Sequence, residues 1–119
     1  MSIDFTTHTL PDSILDFHTL LASKKITVSD VVKEYIQVIK LKNQDINAYL
    51  EVFEDAIEQA GVCDHLIKDK TTEEIEAYIR KHKLFGVPYA VKDNILVQGK
   101  KAGSSSKVLE GYTASYDAT

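Results

Sequence analysis

The chain has 119 residues, 44% of them hydrophobic and 27% charged, with five Gly and two Pro, a globular composition that excludes collagen-like, low-complexity and disordered readings. That length is one ordinary domain's worth of sequence and leaves no room for a second independent core. Fourteen Lys and Arg against eighteen Asp and Glu give a formal charge of −4, which does not describe a nucleic-acid surface. Cys63 is the single cysteine; it closes no intramolecular disulfide and suits a reducing compartment, which favours the cytoplasm. The first 23 residues hold no Lys or Arg and three Asp, and no apolar run approaches the roughly 18–20 residues of a membrane span, so neither a targeting peptide nor a membrane anchor is expected.

Charge and glycine divide the chain. Residues 1–83 carry ten basic against fifteen acidic side chains and read as helical; residues 84–119 carry four against three, hold four of the five glycines, and read as strands and loops. After Pro11 and Asp12, Ser13 can cap free N–H groups, and Ile14, Phe17 and Leu21 recur at helical spacing, so a short helix is expected to end near Ser23. Thr27 with Asp30 is a capping-box variant, and Val28, Val31, Val32, Tyr35, Ile36 and Ile39 line one face of a second helix, expected to stop at Asn43. Residues 47–53 are ambiguous between strand and helix. Ala56, Ile57, Ala60, Cys63, His65 and Ile67 suggest a helix over residues 54–68, with Gly61 inside it. Thr71 and Glu74 repeat the capping signal before a narrow apolar face of Ile75, Tyr78 and Ile79, which predicts a peripheral helix ending around His82.

Beyond Phe85 and Gly86 the period changes. Residues 87–91, VPYAV, are rich in β-formers on both alternating faces, which predicts a strand covered on each side. It stops at Lys92, Asp93 and Asn94; residues 95–97 can extend the pairing before Gln98 and Gly99 turn the chain. The small residues 102–106 allow close backbone approach.

Chemistry is sparse elsewhere. His8, His18, His65 and His82 lack ligand-like spacing and Cys63 is alone, so no metal site is expected. Residues 99–103 lack the length and the Gly-Lys-Ser/Thr ending of a phosphate loop, and Ser104, Ser105 and Ser106 lack a nucleophile elbow, so a solvated loop is the expectation there. Lys92 differs: it follows an apolar strand, where partial burial would favour its neutral form and make it a general base near pH 7.

The stretch LFGVPYAVKDNILVQGKKAGSSSKVLEGYTASYDAT resembles the opening of the amidase signature family, and its ending SKVLEGYTASYDAT resembles the branch that supplies the glutaminase component of glutamyl-tRNA(Gln) amidotransferases. The likeness extends back through ITVSDVVKEYIQVIK and INAYLEVFEDAIEQA; Ala102, Gly103 and Ser115 depart from the branch's usual Thr, Thr or Ala, and Pro. The resemblance implies an α/β fold: amino-terminal helices followed by the first strands of a mixed sheet, incomplete in this chain. Residues 1–119 would then be the amino-terminal part of one amidase domain, with a helical leader at 1–83 and the catalytic-lysine segment at 84–119. It further implies a Ser, cis-Ser, Lys triad in which Lys92 is the lysine, supported by Asp93 and Asn94, while both serines come later in the family's chain. Ser104, Ser105 and Ser106 do not replace them, so the 119 residues alone are expected to be inactive.

By the same resemblance the complete protein is a glutaminase subunit. It would release ammonia from glutamine to convert Glu-tRNA(Gln) to Gln-tRNA(Gln), beside a B subunit that uses ATP and Mg and a small C subunit, with no cofactor in this chain. A stand-alone amidase acting on another amide, and a non-catalytic helical interaction remnant, are the competing readings.

Overall fold

The computed structural model describes residues 10–119, so His8 lies outside the described residues. Residues divide into two compact units, Met1–Pro88 and Tyr89–Thr119. The division falls inside the segment expected to be the first strand. It does so because Phe85 and Val87 pack against the helical core, so the chain as far as Val87 belongs with the helices.

Among the described residues the first unit holds four helices: α1 (Ile14–Ala22), α2 (Val28–Ile46), α3 (Asp55–Ile67) and α4 (Thr72–Lys81). Local chemistry starts three of them. Ser13, Thr27 and Thr71 each accept the backbone N–H three residues on, from Asp16, Asp30 and Glu74, at 3.0, 3.1 and 3.2 Å. At α4 the Glu74 carboxylate also accepts the Thr71 N–H, which closes the capping box. The exception is α3, whose Glu54 cap uses no side-chain bond.

α2 runs past its expected end at Asn43 to Ile46 and closes on Asn47 in the left-handed conformation, φ 53°. Asn43 is used differently. Its amide donates to the Tyr49 carbonyl and accepts the Tyr49 N–H, both at 2.8 Å, and so ties the following loop back onto the helix. Residues 47–53, ambiguous in sequence, are loop.

α2 packs on α3 and α1 on α4. The core joins Phe17, Leu21 and Ala22 of α1, Val28, Val31 and Val32 of α2, Ala60 and Ile67 of α3, and Ile75 of α4. α4 is largely exposed, as its narrow apolar face implies, but its one buried side chain, Ile75, is 1% exposed, the deepest in the core. A narrow apolar face suffices when its central residue reaches the common core. His18 is also buried, and its Nε2 lies 2.9 Å from the Phe85 carbonyl oxygen. A carbonyl only accepts, so Nε2 carries the proton in this contact. His18 is thereby a structural histidine that fastens the chain after α4 to α1.

One cap is tertiary. Asp64 of α3 accepts the N–H groups of Val28 and Ser29 at 2.7 and 3.0 Å and the Ser29 hydroxyl at 2.6 Å, placing a carboxylate on the first turn of α2 where free N–H groups and the helix dipole favour negative charge.

The expected strand over residues 87–91 does not form. Among the described residues there is no strand, and the sheet is represented by one antiparallel bridge between Lys101 and Thr113. A run of β-formers becomes a strand only when another edge takes up its N–H and C=O groups. In this chain Pro88, Tyr89 and Ala90 are exposed and Val87 and Val91 half-buried.

No described helix is long and apolar enough to cross a membrane.

Candidate functional site

The second unit, Tyr89–Thr119, is irregular but densely hydrogen-bonded. Around the Lys101–Thr113 bridge the chain runs antiparallel: the Ala102 N–H reaches the Tyr112 carbonyl at 3.1 Å, the Ala114 N–H the Lys100 carbonyl at 2.9 Å, and the Gly99 N–H the Ala114 carbonyl at 2.8 Å. Ala102 and Ala114 are the buried residues of this ribbon, since small side chains let the two segments close on each other. Further along, the Ala118 N–H donates to the Leu96 carbonyl at 2.8 Å and the Gln98 N–H to the Asp117 carboxylate at 2.7 Å. The YDAT segment is thus stitched to residues 96–98.

Lys92 opens a turn in which the Ile95 N–H donates to the Lys92 carbonyl at 2.9 Å. Its side chain is exposed, so the partly dry setting expected of it is absent. Within the apolar run before it, Val91 is half-buried while Ala90 is exposed and Tyr89 is 83% exposed. Asn94 is also exposed on this turn.

Asp93 is half-buried and faces the glycine-serine loop. Its carboxylate accepts the Gly103 N–H at 3.1 Å and the Ser105 N–H at 3.3 Å, and its carbonyl accepts the Ser104 N–H at 3.3 Å. Ser104 and Ser105 are held in the left-handed region at φ 47° and 57°, which turns their N–H groups toward Asp93. The close approach expected of residues 102–106 is therefore to Asp93. A Cβ on Gly103 would lie 3.3 Å from the Asp93 Oδ2. Ser104 and Ser105 are exposed and Ser106 half-buried. The structure brings Lys92, Asp93 and Asn94 together on one turn and ties that turn to the serine loop through Asp93.

Sequence reading missed the anchoring roles of Asp93 and Asp117. No local signal was available, because Asp93 lies ten residues from Gly103 and Asp117 nineteen from Gln98.

Comparison with known proteins gives a consistent result. The family model described as Amidase matches residues 30–119. A protein of an Exiguobacterium species, named as the A subunit of glutamyl-tRNA(Gln) amidotransferase, is 37% identical over 106 residues, covering 89% of this chain and 20% of the relative. Proteins of the same name from Chlorobium phaeobacteroides and Clostridium botulinum are 40% identical over 100 residues and 36% over 114, covering 83% and 95% of this chain and 19% and 20% of theirs. The chain thus spans about a fifth of the length of the curated relatives it matches. No solved structure matches it significantly. With the family model aligned over residues 30–119, across most of α2, all of α3 and α4 and the whole Lys92 unit, the chain belongs to the amidase family.

Proposed function

We propose that the chain is the amino-terminal part of the glutaminase subunit of a glutamyl-tRNA(Gln) amidotransferase, and that Lys92 is the base of its proton relay. The supporting observation is the 36–40% identity to proteins of that name, maintained across both units of the chain. In the whole protein, residues 87–91 form a strand once the remaining sheet supplies their pairing edges, and the same covering encloses Lys92. Its neutral amine takes a proton from the cis-Ser hydroxyl as that serine takes one from the nucleophilic Ser. The nucleophile attacks the side-chain carbonyl carbon of glutamine, the C–N bond breaks, and the relay returns the proton to the departing ammonia. Water then releases glutamate from the acyl-enzyme.

Ammonia is used on Glu-tRNA(Gln), with ATP and Mg engaged mainly by the B subunit and a small C subunit completing a cytoplasmic heterotrimer. The acidic balance of this chain, −4 overall, accords with tRNA contacts residing on a partner. The test is to assemble the whole protein with B and C subunits and measure glutamine hydrolysis and Glu-tRNA(Gln) amidation. Glutamine-dependent amidation is expected. Hydrolysis of simple amides with no gain from the partners would assign a stand-alone amidase instead.

A further inference from the structure

We infer that Asp93 is a positioning residue for Lys92, acting through the backbone of residues 103–105. This inference rests on the role proposed for Lys92.

Successive backbone N–H groups presented by a turn form a concavity that attracts an anion, and such concavities commonly hold phosphate or a developing oxyanion. Here the anion is internal. Asp93 fills the concavity, its carboxylate taking the N–H groups of Gly103 and Ser105 and its own carbonyl that of Ser104. The loop is thereby committed to holding the turn that carries Lys92, and it is not a free site for substrate or phosphate.

Two observations give the arrangement its directionality. Ser104 and Ser105 both have positive φ, a conformation uncommon for residues with a Cβ; the Ser106 N–H closes a turn around them on the Gly103 carbonyl at 2.8 Å, and the bonds to Asp93 add to that constraint. Gly103 lacks the Cβ that would lie 3.3 Å from the Asp93 Oδ2. Asp93 adjoins Lys92 in sequence, and the Lys92 carbonyl closes the same turn with the Ile95 N–H. Clamping Asp93 on three N–H groups therefore fixes the backbone from which the Lys92 side chain departs, and misplacement of a reacting group by about 1 Å can cost about 100-fold in rate.

The experiment uses the whole protein assembled with its partner subunits and compares Asp93→Asn, Gly103→Ala and Lys92→Ala. Asn keeps one carbonyl acceptor but turns an amide donor toward an N–H donor, so one bond is lost and the volume kept. Asp93→Asn should lower the glutaminase kcat about 10- to 100-fold with KM for glutamine within about twofold, while amidation with supplied ammonia persists. Gly103→Ala, which crowds the Asp93 carboxylate while leaving residue 93 and its charge unchanged, should shift kcat in the same direction by a smaller factor. A parallel fall in ammonia-dependent amidation, or unchanged kcat in Asp93→Asn while Lys92→Ala is inactive, would overturn the positioning role and leave the Lys92 reading standing. Full glutaminase activity in Lys92→Ala would overturn both.

Discussion

Asp64 on α3 accepts the backbone N–H of Val28 at 2.7 Å, and through it a helix 36 residues earlier in the chain receives its N-terminal carboxylate. The local cap of α2, Thr27, satisfies a different N–H, that of Asp30, so the two caps are complementary. This single side chain couples α2 to α3 by hydrogen bonds where their apolar faces already meet. Asp64→Ala should destabilise the helical unit by about 1–3 kcal/mol, because Val28 is buried and its N–H loses its partner without gaining water. Ser29→Ala, which removes one hydroxyl donor to the same carboxylate, should cost less, about 1 kcal/mol. Urea unfolding measures both; equal effects would show that the backbone bonds contribute little.

Gly61 and Gly86 should respond to alanine with opposite signs. Gly61 lies within α3, and a Cβ there meets nothing within 4 Å, so Gly61→Ala should stabilise by about 0.5–1 kcal/mol through lowered backbone entropy. Gly86 has φ +69° and its Cβ would come 2.8 Å from the Val28 Cγ2. Gly86→Ala should therefore cost about 1–2 kcal/mol for the left-handed backbone and about 1–3 kcal/mol for the crowded core. Thermal unfolding of the two variants side by side is the check, and a shift of the same sign in both would contradict the packing described.

Cys63 should behave as a sheltered thiol. Burial pushes its pKa above the ordinary thiol value, the Asp64 carboxylate pushes it further, and hydrogen bonding to the Gly86 backbone offsets part of the rise. Folding thus favours the protonated thiol. Its contribution to stability is complete below the unfolded pKa and is lost as pH rises through the raised folded value. Native Cys63 should react with a thiol reagent more slowly than the unfolded chain at the same pH, and the protein should lose stability on the alkaline side. Cys63→Ser should remove that alkaline slope, whereas a slope that persists would place its origin elsewhere.

Local signals were legible and long-range ones were not. Ser13, Thr27 and Thr71 could be read as caps because each acts on an N–H three residues away. Asp64 could not, because nothing in its neighbourhood shows that α2 begins beside it. Asn43 illustrates the same limit: as a residue type it suits a helix end, yet it pairs with Tyr49, while Asn47 takes the left-handed cap. Residues 87–91 carry the composition of a covered strand, but composition holds no information on whether a pairing edge is present. Lys92 was singled out by its position after that run and by the family resemblance; its side chain is exposed, as are Pro88, Tyr89 and Ala90 before it. The contacts of Asp93 with residues 103–105 depend on how the loop folds back and were invisible to spacing.

The role proposed for Lys92 is confined to glutamine hydrolysis and extends to no later step. The most direct measurement is Lys92→Ala in the whole protein assembled with its partner subunits, assayed in parallel for Glu-tRNA(Gln) amidation with glutamine and with supplied ammonia. Loss of a general base predicts a fall of about 100- to 10,000-fold with glutamine, with ammonia-dependent amidation retained. Unchanged glutamine-dependent amidation, or equal loss with both nitrogen sources, would contradict it.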